Sequence, residues 1–137
     1  MTKDVAPERT GWRDEKISLR HRMWGFDCPA VDVDFVMVEF DRARVVAIVE
    51  YKNEFAAPQY KTHPSYKALS DLATRAKIPF IACRYGSDFS WWKCTPINSY
   101  ATKYLDRQVE LSEKGWVTLL YSIRGRTMPG DIFDEAI

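Results

Sequence analysis

Between Val31 and Lys52, two apolar, β-branched runs flank a short polar break. The order is Val-Asp-Val-Asp-Phe-Val-Met-Val-Glu-Phe, then Asp-Arg-Ala-Arg, then Val-Val-Ala-Ile-Val-Glu-Tyr-Lys. Such a pattern predicts an antiparallel hairpin. It constrains the fold strongly, because each run carries charge where a core strand should carry none. The first begins with Asp32 and Asp34, and the second ends with Glu50 and Lys52.

Strand geometry gives these charges a place. Side chains alternate faces, so Asp32, Asp34, Val36 and Val38 share one face, as do Val46, Ile48, Glu50 and Lys52. One strand enters the hairpin and the other leaves it, so all four charged residues gather at one end of the sheet. Directly paired residues on one face stand about 5 Å apart. Two carboxylates at that separation repel unless a cation lies between them. Mg²⁺ suits such a place, because it takes oxygen ligands at about 2.1 Å and keeps several waters.

The segments Asp34-Phe-Val-Met-Val and Ile48-Val-Glu50-Tyr-Lys52 resemble the PD-(D/E)XK nuclease superfamily, in which an Asp opens one strand and a Glu-x-Lys closes the next. The resemblance implies a restriction-endonuclease-like fold and Mg²⁺-dependent hydrolysis of DNA, with Mn²⁺ able to substitute. It implies Asp34 and Glu50 as metal ligands, the Tyr51 carbonyl as a further ligand, and Lys52 as the residue that orients or activates the attacking water. Pro29 lies five residues before Asp34 rather than beside it, which leaves Asp32 as the alternative to Asp34. In the same family a helix before the hairpin often supplies a Glu, and Glu15 is the matching position, with Glu8 behind it.

The remaining chain predicts an α/β domain, a small mixed central sheet flanked by helices. Residues 12–24 read as a helix, with Trp12, Lys16, Leu19 and Met23 on one face and Gly25 as its stop. Asp14 and Glu15 in its first turn also suit the helix dipole. A second helix is expected over residues 63–77, with Pro64 in its first turn and an apolar stripe of Tyr66, Leu69, Leu72, Ala73 and Ala76. Strands are expected over residues 80–85 and 89–95, and a last helix, capped by Ser112, over residues 112–123. Residues 100–108 fit either a short helix or a loop. Residues 1–10 and 126–137 read as peripheral to a single domain spanning 1–137.

Charge is uneven along the chain although the net value is only +1. Six acids and two basic residues lie between Asp27 and Glu50; seven basic residues and three acids lie between Lys52 and Cys94. An acidic site beside a basic stretch suits an enzyme that holds a phosphodiester over metal. Arg20, Arg22, Tyr60, Lys61 and Lys67 are the candidate nucleic-acid contacts, with Tyr60 able to stack on a base. Cys28, Cys83 and Cys94 are odd in number and widely spaced, so they read as reduced thiols of a cytoplasmic protein. No apolar run is long enough to span a membrane, and no Gly-rich phosphate loop points to an NTPase. Two other functions fit the same residues. One is a nucleic-acid-binding module without turnover, using Phe89, Trp91 and Trp92. The other is a protein-interaction domain, a homodimer or a subunit whose partner supplies DNA affinity.

Overall fold

A computed structural model describes residues 15–25, 29–31, 33–58, 60–130 and 132–133. The chain divides into two compact units, one of residues 1–32 with 130–137 and one of residues 33–129. In the first, α1 (Glu15–Met23) carries Glu15 in its first turn and Arg20, His21 and Arg22 in its last. None of its residues is buried, although Leu19 and Met23 were expected on an apolar face. The expected helix start at Trp12, together with Asp14, Glu8 and Cys28, lies outside the described residues.

The second unit is a five-stranded open mixed sheet with two helices. It runs β1 (Phe35–Glu39), a 3-10 turn (Phe40–Arg42), β2 (Arg44–Asn53), α2 (Pro64–Arg75), β3 (Phe80–Tyr85), β4 (Trp92–Pro96), β5 (Val109–Leu111) and α3 (Glu113–Ile123). The strands lie in sequence order. Only β2 and β3 are parallel, joined through α2; every other neighbouring pair is antiparallel.

Local chemistry accounts for the helix limits. His63 caps α2 by accepting from the Ser65 N–H at 3.2 Å, and Pro64 takes the first helical position, where no N–H is needed. Beyond Ala76, Ile78 N–H reaches the Ala73 carbonyl and Lys77 N–H reaches Thr74, a paired closure with Lys77 in the left-handed region. The same closure ends α3, where Gly125 at φ 72° supplies the left-handed residue. Ser112 caps the other end by accepting from Gly115 N–H.

Alternation along the strands loads both faces. Val49, Ile81, Cys83 and Cys94 pack with Trp116 and Ile123 of α3. Ile48 and Phe80 pack with Tyr66, Leu69 and Ala73 of α2 on a second cluster. Cys83 and Cys94 stand directly opposite on β3 and β4 as free, buried thiols, with their sulfurs 3.2 Å apart. Contact with Cys94, then burial, pushes the Cys83 thiol up.

Two expectations change, and one left open is decided. The first strand starts at Phe35 instead of Val31, and a bulge between Met37 and Val38 shifts its register. The strand expected from Phe89 starts at Trp92, because Phe89 sits in a turn at φ 63°. That turn needs Gly86, where a Cβ would lie 2.5 Å from the Trp91 indole nitrogen. Residues 100–108 form turns that lead into β5, a three-residue strand the sequence pattern does not announce.

One buried charge ties the far end of the hairpin to the end of α3. Glu39 is 2 % exposed and is paired with Arg124 and, at 3.1 Å, with Arg126. The hydrogen bond from Arg124 holds its carboxyl below the ordinary 4.5. A depressed carboxyl stabilises the fold above its unfolded value, and that contribution is lost as pH falls through the folded one. The domain should therefore lose stability as pH drops below about 4.5. Glu39→Gln should flatten that acid limb and lower the melting temperature at neutral pH by several degrees, read by circular dichroism melts across pH.

Candidate functional site

The β1–β2 ladder ends at Phe35 paired with Val49, and there the charged residues meet. The Asp34 main-chain N–H donates to the Glu50 carboxylate at 3.0 Å. In return the Tyr51 N–H donates to the Asp34 carboxylate, also at 3.0 Å. Each acid is thus fixed by main chain next to the other. Asp34 is exposed, whereas Glu50 is 6 % exposed. Burial pushes the Glu50 carboxyl up, and the charge of Asp34 adds to this; the Asp34 N–H and the Lys52 charge pull it back.

Alternation puts Lys52 on the face of Glu50, half-buried, and sends the Tyr51 side chain through the sheet to the other face. There the Tyr51 hydroxyl accepts from the Trp116 indole N–H at 3.0 Å, and rings of Phe35, Tyr85, Trp92 and Trp116 meet it edge-on. Burial pushes that phenol up to about 12. What Tyr51 offers the site is therefore main chain: its N–H holds Asp34, and its carbonyl leaves the strand on the same side.

On the Glu50 face, Lys52 is in register with Arg84 of β3, and Arg84 with Lys93 of β4. The Arg84 guanidinium is committed: it donates to the carbonyls of Asn53, Glu54 and Ala56 at 3.0, 3.3 and 2.9 Å. It so fixes the turn that follows Lys52. A pocket of about 110 Å³ opens in this row, lined by Lys52, Tyr66, Arg84, Lys93, Thr95 and Gln108 among others. Tyr66 of α2 closes its inner side; burial, then the charges of Glu50 and Asp34, push its phenol up.

Of the residues proposed from sequence, Asp34, Glu50, Tyr51 and Lys52 come together. Asp32 lies outside the described residues. Glu15, Arg20 and Arg22 are exposed on α1, which belongs to the other unit. Tyr60, Lys61 and Lys67 are exposed, and among the described residues no hydrogen bond or ion pair joins their side chains to Asp34, Glu50 or Lys52. Trp92, a candidate for base stacking, is a core residue; Phe89 beside it is half-exposed. Among the described residues no group of three or more His, Cys, Asp and Glu side chains converges as a metal cluster. No described helix is long and apolar enough to cross a membrane.

Tyr66, Arg84, Lys93, Thr95 and Gln108 are the neighbours that sequence inspection missed. Alternation alone puts Arg84 on the face of Ala82 and Lys93 on that of Thr95, but only the register between strands joins them to Lys52. A scan of protein-family models, a search of curated proteins and a search of solved structures each gave no match.

Proposed function

We propose that this chain is a divalent-metal-dependent nuclease of the PD-(D/E)XK type, hydrolysing phosphodiester bonds of DNA. The observation that carries the proposal is the reciprocal fixing of Asp34 and Glu50, with Lys52 following on the same face. An exposed carboxylate held against a buried one, whose own carboxyl is pushed up by burial and by its neighbour, costs the fold stability. A cation would relieve that cost. The donors suit a hard ion such as Mg²⁺, or Mn²⁺ in its place: Asp34 and Glu50 would hold it, with the Tyr51 carbonyl as a neutral oxygen. Once bound, such an ion polarises a phosphoryl oxygen and acidifies a water.

The chain's own residues supply the rest. The main-chain N–H groups of Asp34 and Tyr51 keep both carboxylates oriented. Lys52 holds the attacking water, or stabilises the charge that develops on the phosphoryl oxygens. Lysine suits that task because its ammonium is a compact point charge on a flexible stem with three N–H donors, whereas arginine presents a rigid planar fork. Also in favour is the order of elements: a strand opened by Asp34, a strand closed by Glu50 and Lys52, a helix, then a strand parallel to the second. That order is similar to the one the resemblance implies, which has a further strand ahead of these.

The test is incubation with supercoiled plasmid, single-stranded DNA and branched DNA in Mg²⁺, Mn²⁺ or EDTA, with Lys52→Ala alongside. Cleavage is expected with either metal and not with EDTA, and should fall by at least about a hundredfold in the variant. Cleavage in EDTA, or a Lys52→Ala rate equal to the parent's, would exclude the proposed site.

A further inference from the structure

Resting on that proposal, we infer that the pocket between Lys52 and Lys93 is a phosphate subsite, which takes the phosphodiester next to the one cleaved. The row Lys52, Arg84, Lys93 crosses three neighbouring strands at one level of one face. Neighbouring strands run about 4.8 Å apart, so the main chains of Lys52 and Lys93 stand roughly 10 Å apart with Arg84 between. Like charges directly opposite on a sheet destabilise it. This fold accepts two such pairings in succession. The carbonyls around Arg84 satisfy its N–H groups without cancelling its charge.

Among the described residues neither Lys52 nor Lys93 forms an ion pair, and the Lys93 ammonium lies over the Trp91 ring, 6.0 Å from its centre. Glu110 is in register with Lys93 on its outer side, yet the two form no ion pair. Neutral donors complete the lining. Gln108 donates one amide N–H to the Thr95 hydroxyl at 2.8 Å, which leaves its second N–H and the Thr95 hydroxyl hydrogen to give. The Lys93 ammonium, a hydroxyl and an amide around about 110 Å³, with Lys52 at the border toward Glu50, match the oxygens and charge of one phosphate.

Continuity with Glu50 says which phosphate. Lys52 borders both the carboxylate pair and the pocket, so a strand whose scissile phosphate lies at Asp34 and Glu50 runs across β3 toward β4 and sets its next phosphate by Lys93. Bound this way, a nucleic-acid strand is held by its backbone and carries no base preference at this position.

Binding of a short fluorescein-labelled single-stranded DNA, followed by anisotropy in EDTA over a range of salt, tests this without turnover. Lys93→Ala should weaken binding on the order of tenfold and lower the slope of log affinity against log salt by about one. Lys93→Arg should restore both. Lys114→Ala, on α3 against the opposite face, should change neither. An unchanged affinity and slope in Lys93→Ala would overturn the subsite. So would an equal loss in Lys114→Ala, which would mark a general charge effect. Binding of inorganic phosphate seen by calorimetry and lost in Lys93→Ala, on a protein that does not bind the oligonucleotide, would make the pocket a free-phosphate site and overturn it too. A chain that binds through Lys93 but cleaves nothing in Mg²⁺ keeps the subsite and loses the nuclease. Cleavage and oligonucleotide affinity indifferent to Lys93 would mean the reverse.

Discussion

Glu50→Gln is expected to cut metal-dependent cleavage by at least about a hundredfold while leaving the melting temperature in EDTA equal to the parent's or higher. The two effects share one cause. Burial and the Asp34 charge raise the Glu50 carboxyl above its ordinary 4.5. A carboxyl raised in the folded state stabilises the fold below its unfolded value, and that contribution is lost as pH rises through the raised one. At neutral pH the ionised side chain is therefore a burden on the metal-free fold, which glutamine removes while still accepting the Asp34 N–H. Mg²⁺ should raise the parent's melting temperature and leave the variant's unchanged, since an ion that binds only the folded chain stabilises it by mass action. The shift should fade as pH drops and protons compete for Glu50. Scanning fluorimetry with and without Mg²⁺ reads all of this. A variant that melts well below the parent in EDTA would make Glu50 a structural carboxylate instead.

Trp116→Ala should have the largest effect on stability, about 3–5 kcal/mol by urea unfolding. The indole is 1 % exposed, meets Tyr51 edge-on at 6.1 Å, and gives its N–H to the Tyr51 hydroxyl. Its removal leaves a cavity and an unsatisfied phenol on the face opposite the carboxylates. Tyr51 is also the residue whose N–H orients Asp34, so the variant should lose cleavage at temperatures where it is still folded. A cost under about 1 kcal/mol would mean that α3 closes the gap by itself.

The hairpin, α2 and the cap of α3 were legible because each rests on neighbours in sequence: alternation, a 3.6-residue stripe, a Ser or Pro at a helix start. Asp34 with Glu50 was legible because a short hairpin brings the start of one strand beside the end of the other, and the bulge at Met37 and Val38 leaves that juxtaposition in place. Lys93 was not, because its place beside Lys52 depends on a parallel pairing made through α2 and then on the β3–β4 pairing. Arg84 looked like one more basic residue, and its task is to hold carbonyls of residues 53–57. β5 is three residues long, too short for a period to show. Phe89 reads as a strand residue by propensity, but the turn closed over Gly86 overrides it.

The pairing of Glu39 with Arg124 and Arg126 joins residues about 85 positions apart. Asp34 stands just before the strand that Glu39 ends. On a ribosome, the hairpin emerges long before the arginines that neutralise its buried acid, and until then Glu39 must stay wet or protonated. A nascent chain therefore leaves the Asp34 strand insecure at its far end, and completes it only when Arg126 is out. On the proposed reading, a metal site at Asp34 and Glu50 built this way would be secured at both ends of its strand only once the chain has reached Arg126.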